Sequence, residues 1–260
     1  MEIIVGQHTS PDTLARGFDH VVQIGKTPIV VNDSRVFGTC VMEGIAMLMD
    51  GVHPRSFEVA GLQAGMPMPT LALHDELSLS LGQQGAEQTK KDLAAAGTPF
   101  GEQPAEHPGM AAVRQLCKVG RVVKKAGQGL YDWPEPTPSG AKGEKKPWPS
   151  LATMFPVAAQ QPTQPELIDR LMFAQANEAA RCCGEGVLRS VADTNIGSIF
   201  GWGIAPFQSG ALQFINTMGA QRFAARSHAL AARYGARYGA RFEPAAVVVA
   251  QAESGWRFED

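Results

Sequence analysis

At 260 residues the chain can form one large domain or two small ones with a sizeable core. With 44% hydrophobic and 18% charged residues it has the make-up of an ordinary globular protein, and a net charge of −2 excludes bulk attraction to nucleic acid or anionic membrane. No apolar run approaches the roughly 20 residues of a membrane span, no basic-then-apolar leader opens the chain, and the four cysteines form neither a disulfide framework nor a CxxC pair, so a reduced cytoplasmic protein is expected.

The first residues read as βαβ. Glu2–Val5 is a short apolar strand. Ser10 and Pro11 supply an N-cap followed by proline at the first helical position. Leu14, Ala15, Phe18, Val21 and Val22 then recur at helical spacing and should give one buried face, and Pro28–Val31 is a second, β-branched strand. Two parallel strands cannot cover both of their faces, so this piece calls for neighbours that the following residues do not encode.

From Asp33 the pattern turns helical. Val36, Phe37, Cys40, Val41, Ile45 and Leu48 make one apolar stripe, which Gly51 should stop. Further helices are expected around Asp75–Ala95 and Pro108–Val119. Eight of the eighteen prolines lie from Pro134 to Pro165, so residues 134–165 are expected to be a linker or surface crossing. Ile168, Met172, Ala176, Ala179 and Cys183 then mark a second long helix ending at Gly184-Glu185-Gly186, and another helix should cover about Ala211–Arg233.

A repeat runs beneath this pattern. Glu43 through Gly51-Val52 can be laid on Glu178 through Gly186-Val187 at an offset of 135 positions. In each copy a Glu stands eight residues before a Gly-Val that closes a long helix, and a Gly/Pro-rich turn follows.

Chemistry-bearing patterns are few. The six histidines are scattered without HExxH or paired Cys/His spacing, so no metal site is expected. No G-x-G-x-x-G, Walker-type or G-x-S-x-G run occurs. The vicinal pair Cys182-Cys183 reads as small core residues. Gly120 to Tyr131 is the stretch of interest: Lys124 and Lys125 beside a Gly127-Gln128-Gly129 loop can reach an anionic group, or can simply form a solvated basic turn.

These residues also carry a resemblance. Lys124-Lys125-Ala126-Gly127-Gln128-Gly129-Leu130-Tyr131-Asp132 resembles the loop closing the first C-terminal unit of 3-hydroxyacyl-CoA dehydrogenases. Met42-Glu43-Gly44-Ile45-Ala46, Gly51-Val52-His53-Pro54-Arg55, Gly65-Met66-Pro67, Glu185-Gly186-Val187-Leu188-Arg189 and Ala192-Asp193-Thr194-Asn195-Ile196-Gly197 are similar too. So are Pro206-Phe207 and Leu212-Gln213-Phe214-Ile215. In this order they span essentially the whole chain and are similar to the C-terminal region of the multifunctional fatty-acid β-oxidation enzyme.

The resemblance implies a mainly α fold of two repeated helical units, 6-phosphogluconate-dehydrogenase C-terminal-like, with a short N-terminal βαβ remnant of a Rossmann domain. The corresponding division is 1–32 for the remnant, 33–133 for the first unit, 134–165 for the linker and 166–260 for the second unit. It implies NAD as cofactor and 3-hydroxyacyl-CoA as substrate, oxidised by hydride transfer with a His as general base and a Glu orienting it. Glu2 matches that Glu; the His lies earlier in the family, and no matching His or cofactor loop occurs in these residues. Lys125 matches a lysine that contacts NAD. Phe200 stands where related enzymes present a Tyr to the substrate, which removes a hydroxyl. The substrate-side turn is shorter here by roughly six residues, about 9 Å of helix. Ser34-Arg35 therefore stands for one of two family Ser-Arg copies: if the second, Ser34 is the substrate-contacting residue; if the first, that residue is gone. Pro69-Thr70 replaces Gly-Pro, Val123 replaces a Gly, and Tyr234 to Arg241 is a tandem duplication.

Three roles follow: a dehydrogenase portion not competent alone, a non-catalytic dimerisation or acyl-binding module, or one half of a split enzyme. The partners expected are a second copy or a chain bringing the NAD-binding domain.

Overall fold

The computed structural model describes every residue except 7, 33–35, 96, 98–105, 135–144 and 260, and leaves the side chains of 126 and 235–240 aside. The fold is mainly α-helical. It divides into two compact units: Met1–Cys40 with Ala64–Pro67 and Asp169–Asp260, and Val41–Gln63 with Met68–Ile168.

The first unit begins with strand β1 (Glu2–Ile4), helix α1 (Pro11–Gln23) and strand β2 (Ile29–Val31). The Ser10 hydroxyl accepts from Thr13 N–H at 3.2 Å and Pro11 opens the helix, as the cap pattern predicts. The strands pair in parallel with Glu2 opposite Ile29. Val31 forms an antiparallel bridge to Leu188, and Asn32 ties that edge down by accepting from Arg189 at 2.7 Å and donating to Gly186 O at 2.8 Å. The face of α1 expected to be buried is not: of its apolar residues Val21 is buried, while Phe18 and Val22, with Ile4 on β1, stay exposed.

The helices that carry the repeat are α2 (Val36–Met49) and α8 (Gln164–Gly184). In the first unit α8 is followed by α9 (Val191–Trp202), α10 (Ala211–Met218), α11 (Ala220–Gly239) and α12 (Ala246–Ser254). Its core is aromatic. Phe173 of α8 stacks on Phe223 of α11 with centroids 4.4 Å apart, and Phe214 meets both rings edge-on; such pairs each add about 0.5–1.5 kcal/mol beyond burial.

The second unit holds α3 (Pro54–Gln63), α4 (Thr70–Leu77), α5 (Leu79–Ala95), α6 (Gly109–Lys118), the short antiparallel pair β3 (Tyr131–Asp132) and β4 (Lys146–Pro147), and α7 (Leu151–Met154). The span from Pro134 to Pro165 belongs to this unit as far as it is described, and Gln161 in it donates to Gly51 O at 2.9 Å.

The repeat is visible in backbone geometry. Gly51 and Gly186 both adopt φ of +72°, the left-handed conformation glycine favours after a helix. Val52 N–H then bonds Met47 O at 3.0 Å, and Val187 N–H bonds Cys182 O at 2.8 Å, the same five-residue return 135 positions apart.

Two expected helices are each two helices. Around Asp75–Ala95 the chain breaks at Ser78, whose φ is +76°, and Leu79 N–H bonds Val122 O at 2.9 Å instead of continuing the helical ladder. Around Ala211–Arg233 it breaks at Gly219, φ +86°. Neither stretch contains a proline, so the sequence alone reads one helix in each.

Candidate functional site

The loop from Gly120 to Trp133 is the best-defined functional candidate. Lys124–Ala126 forms one 3-10 turn, and Gly127 closes it with φ +73° and N–H to Lys124 O at 2.8 Å. Val123 and Gln128 bridge below the turn.

Beneath the loop lies the Asp75 carboxylate, fully buried at the end of α4. It accepts from Leu130 N–H at 2.6 Å, Tyr131 N–H at 3.0 Å and the Trp133 indole N–H at 2.7 Å. A Cβ on Gly129 would overlap this carboxylate, so glycine at 129 is a packing requirement. Arg121, also buried, donates to Gly129 O at 2.7 Å and Tyr131 O at 3.2 Å, and stacks over Trp148 at 4.7 Å. Burial raises the Asp75 carboxyl above its ordinary range, while the three donors and Arg121 pull it back.

A second buried carboxylate joins the network. Glu58 on α3 accepts from Leu71 N–H at 2.8 Å, from the Thr70 hydroxyl at 3.4 Å and from the Tyr131 hydroxyl. It caps α4 from a neighbouring helix, where Pro69 offers no side-chain cap. Burial raises its carboxyl too, and burial, then the Glu58 charge beside it, raises the Tyr131 hydroxyl. Asn195 of α9 does the matching work in the first unit, accepting from Leu212 and Gln213 N–H at 3.0 and 3.2 Å at the start of α10. A carboxylate and an amide filling one role leave no shared residue pattern, so sequence reading missed both.

His74, next to Asp75, points its Nε2 at Val41 O, 2.8 Å away. Full burial lowers its pKa to about 4 against the pull of that carbonyl, with His107 adding to the lowering, so the ring is neutral at pH 7.

The two lysines of the loop differ. Lys124 pairs with Glu76 and lies 4.5 Å over the Trp133 ring. Lys125 is exposed, and among the described residues it has no ion-pair partner. Glu2 is exposed on β1 in the first unit. Phe200, on α9 of the same unit, is 75% exposed, and Phe207 beyond it is 72% exposed. Ser34 lies outside the described residues. No group of three or more His, Cys, Asp or Glu side chains suited to a metal ion is found among the described residues.

Residues 31–133 match the family described as 3-hydroxyacyl-CoA dehydrogenase, C-terminal domain. Over these residues the chain is similar to the C-terminal domain of 3-hydroxyacyl-CoA dehydrogenases. A curated relative, the fatty acid oxidation complex subunit alpha of Shewanella amazonensis, is 30% identical over 264 aligned positions. That alignment takes in 99% of this chain but 35% of the relative, so the chain spans about a third of the relative's length. The fold is shared with 3-hydroxybutyryl-CoA dehydrogenase from Escherichia coli K12, at TM-score 0.67 and 18% identity over 97% of this chain and 67% of that one. The dehydrogenase part of multifunctional enzyme 1 from C. elegans superposes at TM-score 0.50 and 20% identity, covering 78% and 45% of the two chains. At these identities the structures speak for the fold, and the likeness to the dehydrogenases' C-terminal domain is carried by sequence. The architecture agrees with the mainly α dehydrogenase C-terminal region that the motifs imply. No described helix is long and apolar enough to cross a membrane.

Proposed function

We propose that this chain is the C-terminal portion of an NAD-dependent 3-hydroxyacyl-CoA dehydrogenase of fatty-acid β-oxidation, acting in the cytoplasm, and that it is not competent by itself. The supporting observation is the family match over residues 31–133 together with a fatty-acid-oxidation relative aligned along 99% of the chain.

The residues present fit only part of the cofactor's needs. NAD, when bound, supplies the hydride acceptor. Lys125, outward-facing on a pinned turn, offers one point charge to an anionic part of it, but the chain has no Gly-rich loop to cradle a pyrophosphate on backbone N–H groups. Glu2, on β1, takes in this reading the role of orienting an imidazole supplied from outside these residues and stabilising its protonated form. Phe200 presents an apolar ring where a hydroxyl would otherwise meet the acyl group, and Ser34 is the second substrate-side candidate.

Isothermal titration with NAD, paired with NADH production from a 3-hydroxyacyl-CoA, tests this. The chain alone should give neither micromolar affinity nor turnover, and adding a chain that carries the dinucleotide-binding domain should restore both. Micromolar NAD binding by the chain alone overturns the reading.

The exposed Phe200 and Phe207 favour a second role, self-association as a homodimer or an acyl-binding surface. Sedimentation should then show dimer at high micromolar concentration, and Phe207→Ser should shift it towards monomer.

A further inference from the structure

We propose that Asp75 is the positioning residue for Lys125: it fixes the loop that carries the lysine towards an anionic diphosphate. The inference rests on the cofactor reading of Lys125 given above and extends it to a residue with no ligand contact of its own.

The argument begins with how the loop is held. Five consecutive residues at the α4–α5 break, 75 to 79, hold it at three places. Asp75 takes two successive amides and the Trp133 indole, at 2.6, 3.0 and 2.7 Å. Glu76 takes Lys124. Leu79 N–H takes Val122 O at 2.9 Å.

Each anchor has a distinct consequence. The Leu79 bond fixes the arm entering the turn and Asp75 fixes the arm leaving it, so the 3-10 turn between them has little freedom. Glu76 draws Lys124 down over Trp133, which leaves the neighbouring Lys125 exposed at the tip. Gly127, left-handed with nothing near its Cβ position, and Gly129, pressed on the carboxylate, are the two glycines that make this path possible.

The stakes are set at Asp75. A buried carboxylate receiving three donors leaves all three unsatisfied if it is removed, and each orphaned donor costs more than an ordinary hydrogen bond contributes. A lysine on a flexible stem delivers a point charge, so its usefulness depends on where its backbone is held.

The test uses the full chain, with ADP as the probe because it carries the diphosphate without demanding a complete dinucleotide site. Hydrogen exchange reports the Leu130 and Tyr131 amides, and the NMR shift of the Lys125 ammonium region reports millimolar ADP at low salt. Asp75→Asn should accelerate exchange at Leu130 and Tyr131 at least about tenfold. It should also weaken the ADP response several-fold, while the Phe173 and Ala176 amides of α8 stay as in wild type. Lys125→Ala should abolish the ADP response and leave exchange unchanged. Should Asp75→Asn not fold, Trp133→Phe removes a single donor and should move both readouts in the same direction, less far.

An Asp75→Asn protein with faster exchange but an undiminished ADP response makes Asp75 a purely structural residue and overturns the proposal. Unchanged exchange overturns it as well. A wild-type chain whose Lys125 ignores ADP overturns the cofactor reading first, and the proposal with it.

Discussion

Gly129 lacks a side chain because the Asp75 carboxylate occupies the place where its Cβ would go. The two residues are 54 positions apart, and their contact decides the shape of the loop. Gly129→Ala must push the loop off the carboxylate, loosening the bonds to Leu130 and Tyr131. Overpacking of this kind costs roughly 1–3 kcal/mol. The expected outcome is a urea midpoint lowered to match, with Gly82→Ala, on an open stretch of α5, serving as a control that should raise the midpoint by an amount worth about 0.5–1 kcal/mol. Equal midpoints for the two variants would contradict the packing argument.

His74 predicts a pH dependence. Its pKa falls from 6.5 in the unfolded chain to about 4 in the fold, so the native state binds fewer protons than the unfolded one between those values. The stability it contributes is complete above pH 6.5 and is lost as pH falls through 6.5 towards 4. Between pH 7.5 and 5 that loss is about 2 kcal/mol. Glu58 and Asp75 act oppositely: their raised values favour the fold below the ordinary carboxylate range and lose that effect as pH rises through the raised values. His74→Gln keeps a donor for Val41 O and removes the titration. Denaturation at the two pH values should therefore show a smaller acid loss in the variant than in wild type.

The two helix-closing glycines should respond unequally to alanine. Both have φ of +72°, which costs an L-residue about 1–2 kcal/mol. Gly186 faces open space, so Gly186→Ala should cost about that much. At Gly51 a Cβ would also meet Ala158 N at 2.9 Å and Pro156 O at 3.0 Å, so Gly51→Ala should be the more destabilising. Thermal unfolding of the pair decides the order.

Glu2 and Lys125 make separable predictions once a dinucleotide-binding chain completes the site. In the proposed role the Glu2 carboxylate acts on the imidazolium that develops in the transition state, so Glu2→Gln should mainly lower kcat. Lys125→Ala should mainly raise the KM for NAD, as loss of uniform binding does. Steady-state kinetics of the completed complex check both, and wild-type behaviour in both variants would show that neither residue has its proposed role.

The sequence by itself determined what depends on neighbours within a turn or two. The Ser10–Pro11 cap, the glycine stops at 51 and 186 and the repeat between them were legible, because capping and helix termination are local backbone problems with few residue solutions. The ordered family motifs were legible for a different reason, being strings read directly from the chain. Tertiary structure alone decided the rest. The break at Ser78 comes where the helical ladder at Leu79 is replaced by a bond to Val122, 43 positions away. Which of Lys124 and Lys125 faces outward depended on Glu76, and the rigidity of their loop on Asp75, 55 positions from Leu130. A buried carboxylate satisfied by distant backbone amides leaves no periodic mark in a sequence, because its partners contribute N–H groups that nearly every residue carries.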